Sequence, residues 1–163
     1  MLFAETAFVT FLGLVLGSFA TALSYRLPQN ISIVTKARSQ CPSCRHALGA
    51  ADLVPLFSWI FLKGKCRHCG ARIGLRYPLI ELATLFLCLL FFAIYGLRPE
   101  TAAVFALAPV LVAIIDIDLW HRIIPDSLHV AVFLTGVAAL GAGAALAAHP
   151  VSVLAARGMP ALG

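Results

Sequence analysis

The sequence has few charged residues. Asp, Glu, Lys and Arg make up 12% of its 163 residues, whereas hydrophobic residues make up 61%, and the mean hydropathy is +0.97. Soluble domains carry roughly 25% charged residues, so a water-soluble globule is excluded. The excess of apolar side chains excludes a disordered chain, and five cysteines are too few for a disulfide scaffold. What remains is an integral membrane protein, with the lipid bilayer as its first partner.

Acidic residues are almost absent from residues 24–78. This segment contains nine Lys and Arg residues and only Asp52 to oppose them, which gives it a net charge of +8, whereas the rest of the chain carries −3. The segment is short enough for the positive-inside rule to apply, so its charge predicts that it faces the cytoplasm. We therefore expect a basic cytoplasmic domain set between membrane helices.

Long apolar runs fill most of the remaining sequence. They predict four membrane helices, at residues 7–23, 79–97, 101–115 and 127–148, and residues 151–163 resemble the start of a fifth. The predicted fold is an all-α polytopic membrane protein with a small cytoplasmic zinc-binding domain inserted after the first helix. The predicted domains are the first transmembrane helix at 1–23, the zinc-binding domain at 24–78 and the transmembrane part of a peptidase domain at 79–163.

The first apolar run has one alternative interpretation, a cleavable signal peptide. Residues 20–22 have the A-x-A form of a cleavage site, but the first five residues contain Glu5 and no Lys or Arg. We therefore expect a retained membrane helix. Gly13 and Gly17 have the G-x-x-x-G spacing that lets a second helix approach closely.

Two C-x-x-C pairs, separated by 21 residues, form the most specific local motif. Two such pairs supply the four thiolates that a tetrahedral zinc ion prefers, and a closed four-cysteine site is structural rather than catalytic. A redox dithiol or disulfides are the alternatives, but a cytoplasmic location disfavours stable disulfides. His46 and His68 are expected to be bystanders, and Cys88 a small core residue. The predicted zinc ligands are Cys41, Cys44, Cys66 and Cys69.

Two acidic residues, Asp116 and Asp118, end the third apolar run at its cytoplasmic edge. Charges at this depth are usually functional, and paired carboxylates indicate aspartic protease chemistry. However, residues i and i+2 of a helix point to nearly opposite sides, and Asp126 would lie about 12 Å along the helix from Asp118. No acidic residue follows Asp126, so we expect that this chain alone cannot close a two-aspartate site. These acids could equally cap helix ends, mark the interface, or pair with His121 or Arg122.

Several motifs follow one another in a characteristic order. They are residues 17–19 (GSF) with 26–28 (RLP), 41–44 (CPSC), 55–59 (PLFSW), 64–69 (GKCRHC), 76–82 (RYPLIEL), and Asp118 with 123–126 (IIPD). In order and spacing they resemble the bacterial prepilin leader peptidase/N-methyltransferase family. The resemblance covers about residues 10–130.

The resemblance implies an aspartic endopeptidase of the bacterial inner membrane. It would cleave the leader of type IV prepilins or type II secretion pseudopilins at the cytoplasmic face, and then methylate the new N-terminus with S-adenosylmethionine. In the family the first catalytic aspartate lies seven residues before the proline of the IIPD motif, which assigns this role to Asp118 rather than Asp116. The resemblance gives no residues for the methyl-donor site, and it implies no nucleic-acid partner.

The sequence departs from the family pattern in two places. Ala20 and Thr21 replace a Leu-Asn pair, and the G-x-G-D motif that carries the second catalytic aspartate is missing, with Gly163 in the position of its first glycine. We therefore expect a truncated form that is proteolytically inactive as written. The alternative is a non-peptidase, zinc-bearing membrane module that binds pilin precursors or retains only methylation. A membrane thiol oxidoreductase is a third, weaker interpretation.

Overall fold

The computed structural model describes residues 2–33, 38–98, 102–123 and 125–148. These residues form five α-helices: α1 (Leu2–Arg26), α2 (Phe57–Phe61), α3 (Arg76–Tyr95), α4 (Ala102–His121) and α5 (Asp126–Ala148). Two short 3₁₀ turns, Leu27–Gln29 and Ala50–Asp52, lie between α1 and α2. Within the described ranges, β-structure is limited to two isolated bridges. The predicted all-α class is confirmed.

Three of these helices are long and apolar enough to cross a membrane. They correspond to residues Phe3–Gln29, Arg76–Tyr95 and Ala102–His121, and α5 contains a shorter apolar stretch, Asp126–Ala138. The predicted fifth segment, at 151–163, lies outside the described residues. The main difference from the sequence prediction is the end of α4, which runs six residues beyond position 115 and so includes both aspartates.

Helices α1, α3 and α4 pack against one another along two buried clusters. The first cluster joins Val9 of α1, Cys88 of α3 and the α4 residues Phe105 and Ala108, and the second joins Ala20, Ile80 and Val112. Helix α5 packs on α4 through a third cluster, formed by Val110, Ile117 and Leu128. The two ends of the segment 27–75 therefore emerge from neighbouring, tightly packed helices.

The close approach of α1 and α3 depends on the two glycines of the G-x-x-x-G motif. A Cβ atom at Gly17 would lie 2.8 Å from the Cα atom of Glu81, and one at Gly13 would lie 3.0 Å from the Leu85 side chain. The obstacle at Gly17 is backbone, which cannot rotate away as a side chain can. Small residues at such positions let membrane helices come into backbone contact.

We expect Gly17→Ala to destabilise the helix packing by about 1–3 kcal/mol, because α1 and α3 must move apart to admit the methyl group. The measurement is the midpoint of thermal denaturation in detergent micelles. Gly136→Ala in α5 is the matched control, since nothing lies within 4 Å of its added Cβ, and the better helix propensity of alanine should leave it neutral or slightly stabilised. Equal midpoints for the two variants would contradict the packing argument.

Candidate metal centre and candidate catalytic aspartate

The two C-x-x-C pairs adopt the same turn. The backbone N–H of Arg45 donates to the carbonyl of Cys41 at 2.8 Å, and the N–H of Gly70 donates to the carbonyl of Cys66 at 3.0 Å. Arg45 and Gly70 follow the second cysteine of each pair, and both have a positive φ, +56° and +69° respectively. The left-handed residue closes each turn, so that both cysteines of a pair face one point.

Each turn is closed at its base by an antiparallel bridge. Gln40 pairs with Ala47 in the first turn, and Lys65 pairs with Arg72 in the second. Outside these bridges, the N–H of Leu48 donates to Ser39 at 2.8 Å, and the N–H of Ile73 donates to Gly64 at 2.7 Å. The segment 38–75, called the head below, therefore contains two equivalent knuckles, each built around one C-x-x-C pair and placed face to face.

The four thiols meet where the knuckles face each other. All four Sγ atoms lie within 4.8 Å of one another, and the Sγ atoms of Cys41 and Cys69 are 3.9 Å apart. A tetrahedral site with metal–sulfur bonds of about 2.3 Å has sulfur–sulfur edges of about 3.8 Å. All five cysteines of the chain are free thiols. The four cysteines could therefore hold a metal ion, and the distance between the Sγ atoms of Cys41 and Cys69 is close to one edge of a tetrahedral site.

The surroundings of the thiols favour a negative charge on one of them. The backbone N–H of Cys44 makes the largest contribution in lowering the pKa of the Cys41 thiol to about 6. At Cys69 the N–H of Ala71 lowers the pKa, but desolvation and hydrogen bonds with the other thiols raise it to about 11. Without a cation, the cluster therefore carries less than its full charge, and binding a metal must release the remaining protons.

Neighbouring side chains brace the knuckles without joining the thiol cluster. The rings of His46 and His68, one from each knuckle, stack with their centroids 3.6 Å apart, and neither belongs to the group of potential ligands. Asp52 accepts a hydrogen bond from Gly49 at 3.1 Å and pairs with Arg67 at 2.8 Å. The Gly49 N–H, followed by the Arg67 guanidinium, lowers the pKa of Asp52. This ion pair ties the 3₁₀ turn Ala50–Asp52 to the second knuckle.

The two aspartates of α4 lie in different environments, as their i, i+2 spacing predicts. Asp116 is buried, with 8% of its surface exposed, whereas Asp118 is exposed in the last turn of α4. The carbonyl of Asp118 accepts the N–H of Arg122 at 2.9 Å, and Arg122 has a positive φ of +54° where the helix ends. Asp126, the first residue of α5, is also exposed.

Asp116 is neutralised by a residue that the sequence analysis did not pair with it. Nε of Arg76 lies 3.0 Å from both carboxylate oxygens of Asp116, and Nη2 lies 2.6 Å from Oδ2. The guanidinium also lies 5.2 Å from the ring centroid of Trp120. Arg76 is the first residue of α3 and directly follows the segment 27–75. This contact therefore joins the end of that segment to the last turns of α4. The sequence signal was an acidic residue at the end of an apolar run, where a charge needs a partner.

An open groove of roughly 440 Å³ lies beside the start of α5. It is lined by Leu27, Asn30 and Ile33, which follow α1, and by Pro125 and Asp126. The groove therefore brings Leu27 of the RLP motif near Pro125 and Asp126 of the IIPD motif, although Asp118 does not line it.

These features define an all-helical protein with three helices long and apolar enough to cross a membrane, four cysteines that could hold a metal ion, and two aspartates near the end of α4. The family model of the bacterial peptidase A24 N-terminal domain matches residues 11–95, just over half of the sequence. The chain therefore belongs to the bacterial peptidase A24 family. The matched region contains the larger, C-terminal part of α1, both knuckles and α3.

Individual relatives extend the similarity beyond that domain. A prepilin leader peptidase/N-methyltransferase of Myxococcus xanthus is 44% identical over 140 residues, which cover 84% of this chain and 40% of the relative. One from Burkholderia pseudomallei is 38% identical over 157 residues, covering 82% of this chain and 51% of the relative. The chain thus spans about half the length of the curated relatives it matches. No solved structure matches it.

Proposed function

We propose that this chain carries the metal-binding domain and the first catalytic aspartate of a prepilin leader peptidase/N-methyltransferase. The complete activity would cleave the leader of type IV prepilins or pseudopilins at the cytoplasmic face of the inner membrane. It would then methylate the new N-terminus, with S-adenosylmethionine as the methyl donor. The relatives that match over more than four fifths of this chain carry that name, and the basic charge of residues 24–78 supports a cytoplasmic site.

The observation that carries the proposal is the contrast between the two aspartates of α4. Both carboxylate oxygens of Asp116 accept hydrogen bonds from Arg76, and the residue is buried, so this carboxylate is held in an ion pair and is not accessible to a peptide. Asp118 is exposed one helical half-turn away. Its carboxylate is therefore the one that can reach a peptide at the membrane boundary.

In the proposed reaction Asp118 works with a second carboxyl group. One carboxylate takes a proton from water, the resulting hydroxide attacks the carbonyl carbon of the scissile peptide, and the other carboxyl group donates a proton to the departing amine. The family pattern assigns the second group to a G-x-G-D motif, which does not occur in residues 1–163. We therefore propose that cleavage requires a polypeptide segment that carries this motif.

The metal that we propose for the cysteine cluster is zinc, with Cys41, Cys44, Cys66 and Cys69 as ligands. Four thiolates at tetrahedral spacing suit zinc and leave no open position for substrate. Its role is to fold the head. Substrate chemistry is assigned to the aspartates, and no residue is assigned to the methyl donor.

The test is a fusion of this chain to the part of the Myxococcus xanthus relative that begins at its G-x-G-D motif. The fusion, purified in nanodiscs, is incubated with a prepilin, and leader removal is followed by mass spectrometry. We expect Asp118→Asn to lower the cleavage rate by about 10²–10⁴-fold, because it removes a group that transfers protons in the reaction. Methylation of a pre-cleaved pilin should persist.

The matched control is Glu5→Gln, which removes a carboxylate in the first turn of α1 and should leave cleavage unchanged. Cleavage by Asp118→Asn at the parental rate would contradict the assignment. The unfused chain is assayed in parallel, since cleavage by that polypeptide would show that it needs no G-x-G-D segment. Methylation without cleavage, in both the fusion and the unfused chain, would favour the non-peptidase alternative.

A further inference from the structure

Helix α2 presents an apolar face that no other part of the described structure covers. Phe57, Ile60 and Phe61 are 51%, 60% and 79% exposed. Their i, i+3, i+4 spacing places them on one side of the helix. A row of large side chains exposed in this way is costly in water and marks an interaction surface.

The opposite side of α2 is anchored to the second knuckle, so the helix cannot rotate to hide these side chains. The indole Nε1 of Trp59 donates to the carbonyl of Ile73 at 3.1 Å. Its ring lies against Gly64, where a Cβ atom would be 2.9 Å from the indole. The apolar face is thus fixed outward by the packing of Trp59.

The depth of α2 relative to the membrane follows from its contact with α3. The 20 residues of α3 span about 30 Å at 1.5 Å per residue, which equals the thickness of the hydrocarbon core. The first turn of α3 must therefore lie at the membrane boundary if the helix crosses. Glu81, on the second turn, accepts the backbone N–H of Leu56 at 2.7 Å. Since Leu56 immediately precedes α2, the start of α2 lies at the same level.

The chain pays for this attachment with backbone strain. Leu56 has φ +60° and ψ −49°, and the N–H of Phe57 donates to the carbonyl of Pro55 at 2.6 Å. A non-glycine residue in this conformation is strained and persists only where its surroundings hold it. The Glu81 carboxylate is the group that holds it.

The charges next to α2 also suit a lipid surface. Lys63 and Lys65 follow the helix directly, and both are exposed. At the start of α3, Leu75 and Leu79 are 63% and 61% exposed. Apolar side chains flanked by cations are typical of helices that lie in the interface of an anionic membrane.

We propose that α2 is an interfacial helix, with Phe57, Ile60 and Phe61 inserted at the headgroup–acyl boundary of the bilayer. Lys63 and Lys65 lie at the level of the lipid phosphates. The four-cysteine cluster is then held close to the membrane surface, because Trp59 of α2 packs on the second knuckle. This proposal does not depend on the peptidase activity, and it can be tested on the chain alone.

The experiment places p-trifluoromethylphenylalanine at position 61 and records its fluorine NMR signal in nanodiscs that contain anionic lipid. We expect strong broadening by a lipid with a doxyl group near the headgroup end of its acyl chain. Broadening should be weaker with doxyl near the terminal methyl, and weak with a water-soluble gadolinium chelate. The same probe at Ser43, an exposed residue of the first knuckle, is the control and should respond to gadolinium but not to doxyl lipid.

Two results would overturn the proposal. Broadening of the position 61 signal by gadolinium alone would mean that α2 faces water. Protection from both agents would mean that protein covers this face, either a second copy or another membrane protein. Metal content is measured on each labelled sample, so that an unfolded head is recognised and replaced by the equivalent label at Phe57.

Discussion

Removal of the metal is expected to unfold the head while the membrane helices remain intact. Among residues 38–75 only Cys41, Gly64 and Cys66 are buried, so this segment has almost no hydrophobic core of its own. Structural zinc supplies roughly 10–16 kcal/mol of folding free energy in small domains at neutral pH. We expect a chelator to raise amide hydrogen exchange across 38–75 to that of an unfolded chain, with little change in α1, α3 and α4.

Single cysteine substitutions test whether the four clustered thiols bind the metal, as distinct from any thiol of the chain. Cys41→Ser, Cys44→Ser, Cys66→Ser and Cys69→Ser should each lower the bound zinc from one equivalent towards none. Cys88→Ala removes the buried thiol of α3, which lies outside the cluster, and should retain the metal. Purified protein without stoichiometric zinc, or exchange in 38–75 that chelation leaves unchanged, would show that the cluster is not a structural zinc site.

Asp116→Ala should destabilise the protein by about 3 kcal/mol, because it leaves the Arg76 guanidinium without its partner in a largely apolar setting. The value is at the lower end for a buried pair, since 28% of the Arg76 side chain is exposed. Asp118→Ala, two residues further along the same helix, is the matched control. It removes an exposed carboxylate and should change the free energy of unfolding by no more than about 0.5 kcal/mol.

A double-mutant cycle identifies the cause. The variant with both Arg76→Met and Asp116→Leu should be more stable than either single variant, because no unpaired charge remains. The free energies are measured by denaturant titration in mixed micelles. Additive losses would mean that Arg76 and Asp116 do not interact, and a larger loss at Asp118 than at Asp116 would reverse the roles assigned to the two aspartates.

The sequence determined the parts that are encoded over short distances. Apolar runs predicted the membrane helices and the all-α class, because burying about 20 residues in lipid requires a continuous apolar stretch. The C-x-x-C spacing predicted a four-cysteine cluster, because two intervening residues suffice to close each knuckle. The order of motifs identified the family. The cytoplasmic orientation, the domain division, zinc as the metal, the role of Asp118 and the use of S-adenosylmethionine stay predictions.

Only the tertiary structure decided how distant residues meet. Hydropathy alone ended the third helix at 115, but α4 continues to His121. The charge of Asp116 in this last part of α4 is neutralised by Arg76, which lies 40 residues before Asp116 in the sequence. The bond from Leu56 to Glu81 likewise joins residues 25 positions apart. Both contacts are made by residues of α3, whose position follows from its packing against α1 and α4. A local sequence pattern indicates that a buried charge needs a partner, but the packing of the helices decides which residue is that partner.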